Sequence, residues 1–217
     1  MLTREDFVRQ FPSVLKTDRD CEIPMLIEFI KKRAPVGSLL DVGAHWSGHY
    51  YAANIRQFIE HYDGIDLLAP DDATKAILNS YYQGNAINFV FEQLYDVVVC
   101  ASTLEHCGLS TYQGDHAQEQ AKLFERCLEL ARKQVWFSFP LGQKYLHKGD
   151  FEIVSEEQLA TLERLAKGFK VKERFFYNQG PQAGHIWFQH VKREVALRVP
   201  YMEFAGNQSL CIMEIEK

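Results

Sequence analysis

Between residues 38 and 168, short continuous apolar runs alternate with segments whose apolar positions recur every three to four residues. The runs read as buried strands and the periodic segments as amphipathic helices. Ser38–Gly43 is the first predicted strand. Ser47 is placed to cap a helix to about His61, with Ala52, Ile55, Phe58 and Ile59 on one face. Gly64–Leu68 reads as the second strand, and Pro70–Ile77 leaves room for a short helix. The third strand has two candidates. Ala86–Phe91 is the more apolar run, but Asn79–Gln83 is preferred because Gly84-Asn85 supplies a turn after it. Ala86–Leu94 then becomes an irregular connection into Tyr95–Ala101, whose Val97-Val98-Val99 core marks a strand covered on both faces. Residues 115–131 form a predicted helix on Ala117, Ala121, Phe124 and Leu128, and Gln134–Phe139 a fifth strand stopped by Pro140. Ser155-Glu156-Glu157-Gln158 is a capping box opening a helix that ends at Gly168, followed by strands Phe169–Tyr177 and Ser209–Ile215.

Such alternation predicts an α/β fold, a doubly wound, mostly parallel sheet with helices on both faces. Two helices precede it, at residues 3–11 and 22–33, the latter with Pro24 near its first turn and three basic residues in its last. Residues 1–35 are therefore read as an N-terminal helical cap on a domain spanning 36–217. An insertion at about 179–206, carrying His185, Trp187, Phe188, Tyr201 and Phe204, separates the last two strands.

Composition narrows the function. A hydrophobic share of 47% supports a full core, and a net charge of −5 argues against a phosphate-tracking nucleic-acid surface. The largest basic cluster is Lys31-Lys32-Arg33. Five cysteines without a Cys-x-x-Cys pair suggest a reducing compartment. With no apolar leader and no run of membrane-spanning length, the expectation is a soluble cytoplasmic protein with no membrane partner.

Chemistry concentrates in Ser38-Leu39-Leu40-Asp41-Val42-Gly43-Ala44-His45-Trp46-Ser47-Gly48, a strand, tight turn and helix start. Asp66 follows 23 residues after Gly43, near the spacing of an acid that accepts hydrogen bonds from ribose hydroxyls. Together they describe a pocket for an adenosine-containing ligand. His45 stands where a dinucleotide-binding turn has the glycine that lets a pyrophosphate approach the backbone.

These segments resemble class I S-adenosylmethionine-dependent methyltransferases, over roughly residues 36–178. Leu40-Asp41-Val42-Gly43-Ala44 matches the glycine turn, Gly64-Ile65-Asp66 the ribose acid, and Gln83-Gly84-Asn85-Ala86 the adenine loop. Tyr95 to His106 matches the fourth-strand motif. The Leu104-Glu105-His106-Cys107-Gly108-Leu109 ending, with Trp136 to Gly142 downstream, is most similar to small-molecule and sugar-type bacterial enzymes. The resemblance implies a Rossmann-like sheet of seven strands with an antiparallel last strand, Ser209–Ile215. It implies S-adenosyl-L-methionine as cofactor, and a small hydroxylated acceptor such as a sugar or nucleotide sugar. Cofactor contacts are expected from Asp41, Gly43, Ala44, His45, Gly48, Asp66, Leu67, Asn85, Ala86 and Ser102. A cofactor without phosphate accommodates His45, and Asn85 stands where the family often has Asp.

Several residues carry two readings. His106 is the first candidate general base, because its side chain titrates near neutrality. Glu105 either orients His106 or is itself the base. The alternative for both is local capping and shaping of the pocket. Asp41 either reaches the cofactor's amino group or holds the turn, and His45 either touches the cofactor tail or fills space beside the sheet. Trp46, Tyr50 and Tyr51 are placed to line the methyl-donor mouth, with packing on the helix face the more ordinary reading of Tyr51, and Tyr112 to contact the acceptor. Asp115 and His116 read as a helix cap and its solvated neighbour. The insertion reads as an acceptor lid or a homodimer contact. His147 with Asp150, and His185 with His190, lack the helical spacing of a zinc motif, so no metal is expected. Two other function classes compete. One is an NAD(P)-dependent oxidoreductase, for which a Tyr-x-x-x-Lys pair is missing. The other is a catalytically silent binding or scaffold protein.

Overall fold

A computed structural model describes residues 19–109, 116–147, 151–179, 188–200 and 207–217. The expected helix at 3–11, Tyr112, Asp115, Asp150, His185, Trp187, Tyr201 and Phe204 lie outside these residues, as do the side chains of His116, Ala117, His147 and Phe188. Helix α1 (Arg19–Lys31) leads into strands β1 (Val36–Val42), β2 (Ile59–Asp66), β3 (Ser80–Gln83) and β4 (Tyr95–Ala101). Helix α2 (Ser47–Tyr50) and helix α3 (Ala52–Ile55) lie between β1 and β2, and α4 (Asp72–Lys75) precedes β3. Then come α5 (His116–Leu130), β5 (Ala131–Leu141), a ribbon of β6 (Tyr145–His147) and β7 (Phe151–Ile153), and α6 (Glu156–Leu165). The chain closes with β8 (Lys170–Gln179), β9 (Phe188–Val191), α7 (Arg193–Ala196) and β10 (Asn207–Glu216).

Eight strands form one sheet in the order β3-β2-β1-β4-β5-β10-β8-β9. β1 to β5 are mutually parallel, and β10 runs antiparallel between β5 and β8, as expected for the last strand. The insertion contributes the eighth strand, β9, antiparallel on the edge of β8. Alternate side chains feed two cores. Leu40, Val98, Cys100, Val135, Phe137 and Phe139 pack with Phe124 and Cys127 of α5 and Leu159 and Leu162 of α6. Leu39, Val97, Val99, Trp136 and Ile212 pack on the other face with Leu26 and Ile30 of α1 and Ile55 of α3. Among the described residues, no helix is long and apolar enough to cross a membrane.

The capping box forms as expected, with Ser155 N donating to Gln158 Oε1 at 2.8 Å and Gln158 N to Ser155 Oγ at 3.4 Å. β3 occupies the preferred position, and 86–94 is the connection. Three of the boundaries that differ from expectation have a reason in the sheet. The helix from Ser47 does not reach His61. Tyr51 leaves helical geometry at φ −134°, and Ile59 is already extended, paired with Val36. Residues 59–63 satisfy both a helical stripe and a strand, and pairing with β1 chooses the strand, so β2 starts five residues earlier than predicted. Pro140 does not stop β5, because β4 ends at Ala101 and no ladder donor is needed on that side. The Pro140 carbonyl there accepts Val154 N at 3.0 Å.

Candidate functional site

The sheet order reverses between β1 and β4, and a cleft of about 410 Å³ opens at their carboxyl ends. A reversal of this kind leaves a crevice between the diverging connections, and the size suits a small-molecule site.

β1 delivers Gly43 in the left-handed region, φ +85°, with its N–H held by Ile65 O at 2.9 Å. A β-carbon there would lie 1.9 Å from Thr103 Oγ1. Glycine is thus required twice, by conformation and by the approach of the loop after β4. His45 follows in a short 3₁₀ turn. Its N–H donates to Asp66 Oδ2 at 3.2 Å, and its ring Nδ1 is bonded to the Ala69 carbonyl. That bond anchors the imidazole to the loop beyond β2, where it borders the cleft. Asp66 accepts a second backbone proton, Leu68 N to Oδ1 at 2.9 Å. Each oxygen keeps a lone pair for a ligand hydroxyl. Asn85 closes a turn through Oδ1, which accepts Ile87 N at 3.0 Å.

At the end of β4, Ser102 is the one described non-glycine residue with positive φ, 43°. Such backbone costs roughly 1–3 kcal/mol and needs outside support. Support comes from β5, where Ser138 accepts Ser102 N through its carbonyl at 3.0 Å and its hydroxyl at 3.1 Å. Leu104–His106 then forms a 3₁₀ turn backed by β7, with the His106 ring 6.2 Å from that of Phe151.

The predicted residues divide. Gly43, His45, Asp66, Leu67, Asn85, Ala86, Ser102 and His106 border the cleft, together with Trp46, Tyr50 and Tyr51. Asp41, Ala44, Gly48 and Glu105 do not. Asp41 is fully buried beneath the turn, accepting Tyr51 OH at 2.8 Å and Tyr62 OH at 2.9 Å. Burial pushes its carboxyl up to about 6, against the lowering effect of the tyrosine hydrogen bonds, and pushes both phenols well above their usual value. Of the two readings of Asp41, this position supports the turn. Ala44 is fully buried, and Gly48 packs against α4, where a β-carbon would meet Thr74 N at 2.4 Å. Glu105 is buried at 4% exposure in the turn that carries His106, and it does not border the cleft.

Arg19, Thr103, Cys107, Gly108 and Glu119 also border the cleft without having been singled out as site residues. Burial raises the Cys107 thiol, which argues against a nucleophilic thiolate. Glu119 is paired with Lys122 at 2.8 Å. Thr103, Cys107 and Gly108 share the loop that holds Ser102 and His106, whereas Arg19 and Glu119 reach the cleft from helices α1 and α5, which no spacing along the chain connects to it. Among the described residues, no group of three or more His, Cys, Asp and Glu is placed to hold a metal ion.

Neither a family model nor a curated protein sequence matches the chain. Solved structures do. The N-methyltransferase NodS from Bradyrhizobium japonicum WM9, in complex with S-adenosyl-L-homocysteine, aligns with a TM-score of 0.59 at 10% identity, covering 100% of this chain and 99% of that one. Magnesium protoporphyrin IX methyltransferase (ChlM) from Synechocystis PCC 6803, with bound S-adenosylmethionine, aligns at 0.56 and 11% identity, covering 99% and 92%. A methyltransferase dependent on the same cofactor from Archaeoglobus fulgidus aligns at 0.58 and 17% identity, covering 97% and 98%. With strand order, antiparallel β10 and a glycine turn at the switch point all in place, the chain has the fold of the class I S-adenosylmethionine-dependent methyltransferases.

Proposed function

We propose that this protein is an S-adenosylmethionine-dependent methyltransferase acting on a small hydroxylated acceptor, such as a sugar or nucleotide sugar. The observation that carries the reading is the cradle at the switch point. Gly43, with no side chain, lets the turn and the loop after β4 meet closely at the floor of the cleft, and the Asp66 carboxylate stands beside it on the neighbouring strand. The donor set fits the cofactor. Asp66 suits ribose hydroxyls, Asn85, Ala86 and Leu67 suit an adenine ring, and Gly43, His45 and Ser102 suit the tail. When bound, the cofactor supplies a methyl group on a sulfonium, an electrophile that needs no metal. Asp41, Ala44, Gly48 and Glu105 serve as supports behind the wall.

Alignment of the acceptor against that methyl group is the protein's main contribution, worth several kcal/mol. A neutral hydroxyl also needs its proton removed. His106 is the group for this step, since it borders the cleft and Glu105 does not. The ribbon behind it, through Phe151, limits where the imidazole can turn. Trp46 and Tyr50, both exposed at the mouth, offer apolar and stacking surface to a ring-shaped acceptor.

Isothermal titration with S-adenosylhomocysteine, with NADH in parallel, tests the reading. Micromolar binding of the former alone supports it. Binding of NADH alone supports an oxidoreductase. Binding of neither by a cooperatively melting sample leaves the scaffold reading.

A further inference from the structure

One buried carboxylate ties the N-terminal helix to the wall of the cleft. Glu22, in the first turn of α1, is 1% exposed. Its Oε2 accepts hydroxyl protons from Ser102 at 2.6 Å and Ser138 at 2.5 Å. Its Oε1 is paired with the Arg19 guanidinium. Ile23, Leu26, Ile27, Phe29 and Ile30 already bury one side of α1, so docking of the helix does not call for a charge there. An apolar side chain of similar volume often does as well as a buried ion pair. What the carboxylate adds is orientation of two groups that border the cleft.

Ser102 commits its only proton to Glu22, so its oxygen meets any further partner as an acceptor. Arg19 is held between Glu22 and the face of Tyr50, with the guanidinium carbon 4.9 Å from the ring centroid. Among the described residues it is the one Lys or Arg that borders the cleft. Both groups are bonded to the same carboxylate, so a cationic donor and a neutral acceptor stand side by side at a set spacing. Trp46 and Tyr50, the residues that leave the glycine turn, border the same cleft. The complement of such a pair is a zwitterion, a carboxylate for Arg19 and an ammonium for Ser102.

We propose that Glu22 is a positioning residue, fixing Arg19 and Ser102 as a paired donor and acceptor for the amino-acid end of an S-adenosyl ligand. Helix α1 is then part of the binding site, not a cover beside it. This inference rests on the methyltransferase reading. Its chemistry is recognition alone, with no bond made or broken.

The test compares S-adenosylhomocysteine with 5′-methylthioadenosine, which keeps the adenosine and thioether but lacks the amino-acid end. The full chain and its Glu22→Gln, Arg19→Gln and Ser102→Ala variants are titrated with each. The wild type is expected to prefer S-adenosylhomocysteine. Each variant should lose about tenfold or more of that preference, the usual worth of a hydrogen bond to a charged group, while 5′-methylthioadenosine binds as before. Glu22→Gln is the decisive variant, because Glu22 does not border the cleft. A structural role alone would weaken both ligands together, and that result overturns the proposal. So does a Glu22→Gln protein with the wild-type preference. If Glu22→Gln does not fold, Arg19→Gln and Ser102→Ala decide, and an unchanged preference in either one refutes the pairing. A wild type that binds both ligands equally overturns this inference and leaves the methyltransferase reading standing. A wild type that binds neither overturns both.

Discussion

Replacing Asp41 by Asn should change how stability depends on pH, by an amount the structure allows to be worked out. The carboxyl is fully buried under the glycine turn, between the hydroxyls of Tyr51 and Tyr62, and titrates near 6 rather than 3.8. Its folded-state value is raised, so the native state binds the proton more tightly than the unfolded chain. The stabilising contribution is complete below pH 4 and is lost as pH rises through 6. Two pH units of displacement correspond to roughly 3 kcal/mol. Asn cannot ionise, so the Asp41→Asn variant lacks this loss. It does pay a constant penalty, because its amide N–H₂ faces one tyrosine hydroxyl where the carboxylate had an acceptor. That penalty is on the order of 1–3 kcal/mol and does not vary with pH. Urea unfolding of both proteins at pH 4, 5, 6 and 7 separates the two effects. The stability difference between them should move by roughly 2.5 kcal/mol in favour of the variant between pH 4 and pH 7, with most of the change between 4 and 6. A difference that stays flat across this range refutes the account. It would mean that the hydroxyls of Tyr51 and Tyr62 compensate the buried charge in full.

Three further outcomes follow from the site. Gly43→Ala should lower the melting temperature and abolish S-adenosylhomocysteine binding, because the new methyl group meets Thr103 at 1.9 Å and φ stays positive; calorimetry and thermal melts check both. Asp66→Asn should weaken adenosine-ligand binding by about tenfold or more, through the lost charge-assisted hydrogen bonds, and loosen the His45 and Leu68 amides in hydrogen exchange. His106→Gln should cut kcat by about 10²–10⁴-fold on a neutral hydroxyl acceptor and leave cofactor affinity intact. An unchanged kcat would assign proton removal to another group or show that none is needed.

The strand–turn pattern at 38–43, the β-branched run of β4, the capping box at Ser155 and the spacing of Asp66 all depend on local backbone preferences. Local preferences are written directly in residue order, and these elements were legible in the sequence, as was the side of the sheet where a ligand cleft would open. The boundary at Ile59 was not legible, because its residues suit helix and strand equally and pairing with Val36 decided between them. Nor was the persistence of β5 through Pro140, which depended on where β4 stops. Within the site, order along the chain placed Glu105 and His106 together, and only packing against β7 and α5 put one on the cleft and buried the other. Asp41 belonged to the glycine-turn motif, and two tyrosines, 10 and 21 residues away, made it a support beneath that turn. The link from Glu22 to Ser102 and Ser138 spans 80 and 116 residues. No periodicity reaches that far. Contacts over such distances exist only once the sheet has brought the ends of β4 and β5 under α1.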